Sequence, residues 1–233
     1  MKLAVISDIH SNLPALERTL EFLQHSKIDR VVCLGDIVGY GAQPNECIEL
    51  IQQSCSHVVL GNHDAVATGF LPLRHLNAPG QTAMRWTIDI LSKENLQYLS
   101  TLPLLLPQHN ITFVHSSPFR PDRWTYVTSP FEAEEAFSAM KTELCFIGHT
   151  HVPGLLCEQP GIFQLTKGRR FLINVGSVGQ PRDGNPQLSF GVLDTEEWTY
   201  ENLRLDYQIM QAADAIIQYG LPPVLARRLF DGI

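Results

Sequence analysis

The chain has 233 residues, 44% of them hydrophobic and 18% charged, which is the composition of one soluble globular domain with enough apolar material for a core. Its formal net charge of −7 argues against a protein held to nucleic acid or to anionic lipid by its overall field. The five cysteines are odd in number and contain no CxxC pair, so neither a disulfide framework nor a zinc ribbon is indicated.

The N-terminal stretch MKLAVISDIH has one lysine and then only five apolar or small residues before Asp8, which is too short for the core of a signal peptide. No segment of the sequence has the length and hydropathy of a membrane span. We therefore expect a cytoplasmic protein with no membrane association and no stable nucleic-acid complex. A homo-oligomer stays open.

The first two-thirds of the chain alternates short β-branched runs with helical patterns. The predicted strands are LAVIS, RVVCLG, HVVLG, ITFVH and LCFIG, and the predicted helices cover residues 13–26, 44–54, 80–91, 92–100 and 130–141. Strands that alternate with helices form βαβ units, so we expect a mostly parallel sheet with right-handed crossovers. Residues 65–107 read as a helical insertion between two strands, which could form part of a rim or lid.

From residue 160 the pattern changes to strands joined by turns. The predicted strands are FLINVG, SFGVLD and WTYENLRL, and a turn such as PRDGNP suits antiparallel pairing. Two short amphipathic helices are predicted at about 207–230. No linker or repeat divides the chain, so residues 1–233 are predicted to form a single domain.

Polar side chains follow five of the predicted strands at the point where each strand ends. In open α/β sheets ligands bind at this carboxyl edge, so residues far apart in sequence would converge there. Any one of them alone is more often a cap or turn residue, but five strand ends together favour one site. The residues are Asp8 and His10, then Asp36, then Asn62, His63 and Asp64, then His115, and last His149 and His151.

The remaining histidines do not form such a set. They lie in or beside helices or at the entry to strands, and we interpret them as structural: His25, His57, His75 and His109. Arg120 and Arg182 are interpreted as surface arginines in turns, although a guanidinium there could grip phosphate. Arg123 beside Trp124 leaves a stacking role on a nucleobase open.

Imidazoles, carboxylates and one amide oxygen, with no thiolate, suit divalent ions such as Mn, Fe, Co, Ni or Zn. Seven candidate ligands exceed what one tetrahedral zinc takes, so two ions sharing a carboxylate are predicted. Two metals about 3.5–4 Å apart activate water and clamp an in-line displacement at phosphorus. Such a site keeps a net positive charge of about one in an acidic chain, and this favours a phosphate substrate.

The segments DIH at 8–10, GD at 35–36, GNHD at 61–64, His115 and GHTH at 148–151 resemble the full signature of the calcineurin-like metallophosphoesterase superfamily. The GDIVGYG, PNEC and GSVGQPRDG stretches are similar to its small bacterial phosphodiesterase-like or diadenosine-tetraphosphatase-like branch. The resemblance implies an α/β (α+β) fold of the metallo-dependent phosphatase type. In that fold two mixed β-sheets flanked by helices form a four-layer αββα sandwich, with a dinuclear site at the strand ends.

The resemblance also implies a role for each site residue. One metal would be held by Asp8, His10, Asp36 and His151, and the other by Asp36, Asn62, His115 and His149. Mn²⁺ is the expected ion, with Fe, Ni, Zn or Co open. His63 would be the catalytic histidine, a free imidazole that protonates the leaving group. Asp64 would orient it by accepting its other ring N–H and would favour its protonated form.

The predicted function is hydrolysis of small phosphate esters by attack of a metal-bridging hydroxide. The substrate classes are a phosphodiester, a nucleotide or a dinucleoside polyphosphate. Phosphoprotein phosphatases resemble one another in an Asp-Arg pair shortly after GD, where this chain has GDIVGYG. A phosphomonoesterase, a protein phosphatase, a non-catalytic scaffold and a nuclease acting on polymeric nucleic acid remain as alternatives.

Overall fold

The strands form two five-stranded mixed sheets in the computed structural model, which describes residues 1–233. The first sheet has the order β10-β9-β1-β2-β3 and contains β1 (Lys2–Ile6), β2 (Arg30–Cys33), β3 (His57–Val58), β9 (Leu188–Asp194) and β10 (Thr199–Leu205). The second has the order β4-β5-β6-β8-β7 and contains β4 (Leu105–Gln108), β5 (Ile111–Val114), β6 (Leu144–Ile147), β7 (Gly154–Cys157) and β8 (Phe171–Asn174).

Each sheet contains three adjacent parallel strands. β1, β2 and β3 are parallel to one another, and so are β5, β6 and β8. The remaining strands, β9 and β10 in the first sheet and β4 and β7 in the second, pair antiparallel. The carboxyl ends of the parallel strands therefore lie along one edge of each sheet, where the predicted site residues follow.

Eight helices flank the sheets. They are α1 (Leu13–His25), α2 (Pro44–Ser54), α3 (Asn62–Ala67), α4 (Ala78–Ile90), α5 (Lys93–Ser100), α6 (Pro130–Ala139), α7 (Ile209–Gln218) and α8 (Pro223–Asp231). Every helix except α6 contributes buried side chains to the core on the outer face of the first sheet. α6 covers the outer face of the second. The longest hydrophobic helix falls short of what a membrane crossing requires.

A third apolar core fills the space between the sheets. It holds 13 buried residues, among them Leu3 and Val5 of β1 facing Phe113 of β5 and Phe146 of β6. The rings of Phe113 and Phe146 stack with centroids 5.9 Å apart. With helices outside both sheets, this core gives the layer order αββα, and the predicted four-layer sandwich is confirmed.

The starts of α1 and α5 are capped by side chains. The Asn12 side chain accepts a hydrogen bond from the backbone N–H of Ala15 at the start of α1, and Ser92 caps α5 in the same way through Asn95. Pro14 lies in the first turn of α1, where its missing N–H costs nothing. Asn12 also donates to the carbonyl of Gly179, which ties this helix start to the loop after β8.

Helices fill most of the predicted insertion over 65–107 between β3 and β4, but they end at Ser100 and the last residues of the range belong to β4. The insertion's buried residues Ala83, Met84 and Leu99 belong to the large core, so the segment is part of the helical layer and not a separate lid. The stretch PRDGNP does not close a hairpin, because it joins β8 of one sheet to β9 of the other. β8 is fully buried, as a central parallel strand must be.

Candidate metal centre

The nine predicted site residues lie together at the carboxyl ends of the parallel strands of both sheets. Each follows a strand of the core, and each is between 0% and 8% exposed. Polar groups this deeply buried need partners, because an unsatisfied one costs free energy. The residues are Asp8, His10, Asp36, Asn62, His63, Asp64, His115, His149 and His151.

Five of these residues have left-handed backbone. The φ angles are 55° at Asp8, 50° at His10, 52° at Asp36, 65° at His149 and 61° at His151. Such a conformation costs a non-glycine residue about 1–3 kcal/mol and persists where the surroundings enforce it. The loops after β1, β2 and β6 thus hold their side chains in positions that local preference would not select.

One group of ligand atoms contains Asp8, His10 and His151. The Nε2 atoms of the two histidines face each other at 3.1 Å, and His151 Nε2 lies 3.1 Å from Asp8 Oδ1. On the far side of each ring, His10 Nδ1 meets the carbonyl of Val38 at 3.2 Å and His151 Nδ1 meets that of Gln180 at 2.5 Å.

A second group contains Asp36, His115 and His149. His115 Nε2 lies 3.2 Å from His149 Nδ1 and 3.2 Å from Asn62 Oδ1. The other ring nitrogens again meet carbonyls, His115 Nδ1 that of Leu34 at 2.9 Å and His149 Nε2 that of Trp124 at 2.9 Å.

Asp36 lies between the two groups. Its Oδ2 is 3.6 Å from His10 Nε2 and 3.3 Å from His115 Nε2. Its Oδ1 accepts a hydrogen bond of 2.8 Å from the backbone N–H of His63. A Cβ at Gly61 would lie 2.2 Å from that same oxygen, so the close approach of β3 to Asp36 requires glycine at residue 61.

The hydrogen bonds fix where the protons sit on the four rings. A carbonyl only accepts, so the nitrogen facing it carries the proton and the other nitrogen of the neutral ring presents a lone pair. In each group two such lone pairs face each other, at 3.1 Å and 3.2 Å. Asp8 Oδ1 adds a buried oxygen with no hydrogen bond. Lone pairs held this close repel unless a cation lies among them, so the donor set fits two divalent ions.

The pKa shifts of the buried groups in the metal-free chain also indicate that this centre requires positive charge. Burial by itself lowers the pKa of His115, but the carboxylates of Asp36 and Asp8 outweigh it and raise that pKa to about 9. Burial raises the pKa of Asp36, yet His115 and His63 hold it well below its usual range. Burial and the neighbouring His115 lower the pKa of His149 to about 3. In the metal-free chain the imidazolium of His115, protonated at both ring nitrogens, thus takes the place of the cations that two buried carboxylates require, and a bound ion would replace its Nε2 proton.

Comparison with known proteins decides the family. The family model described as a calcineurin-like phosphoesterase superfamily domain matches residues 1–198. The chain is a calcineurin-like phosphoesterase. The family is divalent-metal dependent, so the two groups of ligand atoms are candidate metal ligands.

Three proteins are similar to this phosphoesterase over most of its length. It is 40% identical to Uncharacterized protein MJ0912 of Methanocaldococcus jannaschii over 99% of this chain and 98% of that protein. It is 27% identical to Phosphodiesterase YfcE of Escherichia coli over 84% of this chain and 89% of that protein. The crystal structure of a metallophosphoesterase from Sphaerobacter thermophilus matches with a TM-score of 0.89 and 36% identity, covering 100% of both chains. The protein is a metal-dependent phosphoester hydrolase.

The contact predicted between Asp64 and the ring of His63 is wrong. Asp64 Oδ1 accepts from the backbone N–H groups of Ile37 at 2.9 Å and Val38 at 3.1 Å, and Oδ2 accepts from Gly61 at 3.2 Å. The carboxylate therefore joins the loop after β2 to the start of α3. Burial and Asp36 raise its pKa to about 7. Asp64 can position His63 only through the backbone.

His63 lies beside the two groups with its Nδ1 buried and without a hydrogen-bond partner. Its ring meets that of His10 edge-on, with centroids 4.7 Å apart. A Cβ at Gly39 would lie 2.3 Å from Nδ1, so glycine at this point of GDIVGYG makes room for the ring. Burial lowers the pKa of His63 to about 4 against the opposing charge of Asp36.

Asp64→Asn is expected to destabilise the metal-free protein by about 1–3 kcal/mol, because its amide N–H would face one of the three backbone N–H groups that the carboxylate now satisfies. Urea unfolding measures this. Asp89→Asn, an exposed aspartate of α4, is the matched control and should stay within about 0.5 kcal/mol of the parent. Equal stabilities of the two variants would contradict the positioning role of Asp64.

Sequence reasoning missed the surroundings of the centre. The Tyr40 ring lies 4.4 Å from that of His63 and 4.7 Å from that of His10. Tyr126, which is 48% exposed, stacks on His149 with centroids 3.9 Å apart. Tyr40 follows the GD motif at the point where the protein phosphatases have arginine, and this was the available signal. Tyr126 had none, since it lies in an irregular loop.

Proposed function

We propose that this phosphoesterase hydrolyses small phosphate esters with two divalent ions. One would be held by Asp8, His10, Asp36 and His151, and the other by Asp36, Asn62, His115 and His149. Two ions held there would activate water and neutralise charge on the phosphoryl group during an in-line displacement. Mn²⁺ is the proposed ion, and Fe, Ni, Zn or Co suit the same ligands.

The observation that carries this proposal is the pair of facing lone pairs. With neutral rings, His10 and His151, and likewise His115 and His149, each bring two unprotonated ring nitrogens within 3.2 Å. Asp36 reaches one histidine of each pair through a single oxygen, so it is the residue placed to serve both ions. Asn62 adds an oxygen without charge, which leaves the loaded centre net positive and suited to an anionic substrate.

His63 is the residue proposed to handle the proton of the leaving group. One of its ring nitrogens lies within 4.8 Å of ligand atoms of His10 and Asp36, so the ring reaches the centre. The ring is not oriented by a carboxylate. Its position is set by the backbone bond to Asp36 Oδ1 and by packing against Gly39 and Tyr40. A free imidazole at this distance is suited to general-acid catalysis.

A small substrate is favoured over a phosphoprotein. The position of the phosphatase arginine is taken by Tyr40, whose ring packs on His63 and His10. The relation to Phosphodiesterase YfcE supports a diester among the substrates. Nucleotides and dinucleoside polyphosphates remain in the proposed class, with phosphomonoesters as the second candidate.

Two measurements test the proposal. Metal analysis of the protein dialysed after loading should find two ions per chain. A rate panel with Mn²⁺, Ni²⁺, Zn²⁺ and Mg²⁺ should show metal-dependent hydrolysis of at least one of a monoester, a diester, a cyclic nucleotide and a dinucleoside polyphosphate. One ion per chain would contradict the dinuclear arrangement. Hydrolysis of a phosphopeptide or of a long oligonucleotide in preference to all four substrates would contradict the small-substrate proposal.

A further inference from the structure

Two arginines lie next to the candidate metal centre without an Asp or Glu partner. The guanidinium carbon of Arg182 is 5.7 Å from the centre of the Tyr40 ring, and that of Arg228 is 5.8 Å from it. Tyr40 in turn packs on His63 and His10. Arg182 follows β8, whereas Arg228 belongs to α8, beyond the residues 1–198 that match the family model.

The aspartates near these two arginines in sequence lie against other arginines. Asp183, next to Arg182, pairs with Arg204. Asp231, three residues after Arg228, lies 3.8 Å from the guanidinium of Arg227. Arg182 and Arg228 form no ion pair with an Asp or Glu side chain. Arg182 donates to the side chain of Gln180, and Arg228 donates through Nε to a main-chain oxygen of Ile233, the last residue of the sequence, which leaves its Nη groups for another acceptor.

Arg182 also has an unused donor. Its Nη2 donates to Gln180 Oε1 at 2.9 Å, but its Nε is buried and has no hydrogen-bond partner. A buried guanidinium N–H without an acceptor is costly and rare, because Arg can donate but cannot accept. The donor is available to an oxyanion that arrives with the substrate.

The backbone holds the two arginines side by side. The loop that carries Arg182 is joined to the end of α8 by a hydrogen bond of 2.9 Å from the N–H of Gly184 to the carbonyl of Gly232. Gly232 has a φ of 64°, and a Cβ there would lie 2.7 Å from the backbone of Asn185. The loop also contacts the centre itself, since the N–H of Arg182 donates to the carbonyl of His151 at 3.3 Å.

Two like charges held together raise the free energy of the chain unless an anion joins them. Burial and the neighbouring Arg182 lower the pKa of Arg228, which reflects this repulsion.

We propose that Arg182 and Arg228 form an anion subsite beside Tyr40 that binds a second phosphate group of the substrate, next to the one that is attacked. The inference rests on the proposed function and narrows it to substrates that carry at least two phosphate groups. Guanidinium forks suit phosphate oxygens. Two divalent ions, less the carboxylates of Asp8 and Asp36 and the bound hydroxide, leave a net charge of about one, and the two guanidinium groups add to it. A single diester phosphate carries one negative charge, which is less than this positive charge.

The test compares two phosphonates that cannot be hydrolysed. Methylphosphonate presents one phosphate-like group, and methylenediphosphonate presents two. Calorimetry on the Mn²⁺-loaded protein gives the ratio of their dissociation constants. Replacing one charge-assisted contact to a phosphate changes affinity by about tenfold or more, so Arg228→Met should lower the preference for the diphosphonate by about tenfold. Arg182→Met should lower it too.

Two control variants distinguish the loss of a guanidinium charge at the subsite from a general effect on the structure of α8. Arg227→Met removes the neighbouring arginine of the same helix, whose side chain is 85% exposed, and should leave the ratio unchanged. Arg228→Lys keeps the charge and should recover part of the preference. The subsite is overturned if Arg228→Met and Arg182→Met leave the ratio unchanged, if Arg227→Met lowers it as much, or if Arg228→Lys behaves like Arg228→Met. Because binding is measured, an enzyme without turnover on any ester would overturn the proposed function and still report on the subsite.

Discussion

Asp36→Asn is expected to remove metal-dependent turnover almost completely, by about 1,000-fold or more, because an ion that polarises a phosphoryl oxygen contributes several kcal/mol to the transition state. Asp36 lies within reach of both ligand groups, and its Oδ2 is 3.6 Å and 3.3 Å from histidine nitrogens of the two. Losing its charge weakens both ion sites at once. Steady-state rates and metal analysis of the dialysed variant measure the two effects.

The fold should survive this change. The Asn side chain keeps an oxygen where Asp36 Oδ1 accepts from His63, so that backbone contact can persist. In the metal-free protein His115 and His63 hold Asp36 ionised, so removing its charge breaks a buried ion pair. We therefore expect the metal-free variant to melt below the parent, whereas added Mn²⁺ raises the melting temperature of the parent alone. A variant that still gains stability from two ions would show that Asp36 is not the shared ligand.

The main features of the fold and the positions of the candidate site residues could be predicted because their signals are local. Each strand run, such as LAVIS before Asp8, is followed at once by its polar residues. The parallel arrangement then brings these ends together, as in the hydrogen bond of 3.0 Å from the N–H of His149 to Asp8 Oδ2 across 141 positions. No distance had to be known, since sheet topology places the carboxyl ends of parallel strands at one edge.

The two strands that the sequence analysis did not predict, β4 and β7, lack such a local pattern. β4 has the sequence LLPQ and β7 the sequence GLLC, and each is only half-buried. Both are edge strands of the second sheet, where pairing tolerates proline and glycine. Their strand state is imposed by the neighbouring strands β5 and β8. Propensity in a window of four residues carries no information about such neighbours.

The directions of individual side chains also could not be predicted from the sequence. Asp64 and His63 are adjacent in sequence, which suggested a direct bond, but α3 begins at Asn62 and turns consecutive side chains to different directions. Arg182 looked like any arginine in a turn. Its position depends on how α8 packs on the loop after β8, a contact between residues about fifty positions apart that no local pattern records.

His63→Gln is the second change with a large expected effect. The variant should keep both ions, because the backbone N–H of residue 63 still donates to Asp36 Oδ1 and the ring is not needed for either ligand group. Turnover of substrates with basic leaving groups should fall by about 100- to 10,000-fold, the usual contribution of a general acid. His75→Gln, in a 3₁₀ turn away from the centre, is the control and should leave turnover unchanged.

The dependence on the leaving group separates proton transfer from other losses. A nitrophenolate leaves as an anion without protonation, so its ester should lose far less in His63→Gln than an alkyl or nucleoside ester with the same phosphate. Equal losses on both esters would mean that the ring shapes the site and does not donate a proton. Loss of an ion would mean that His63 is a ligand, an assignment left open by the ring nitrogen within 4.8 Å of ligand atoms of His10 and Asp36. A series of diesters with graded leaving groups, measured with metal content, therefore assigns His63 as donor, ligand or packing residue.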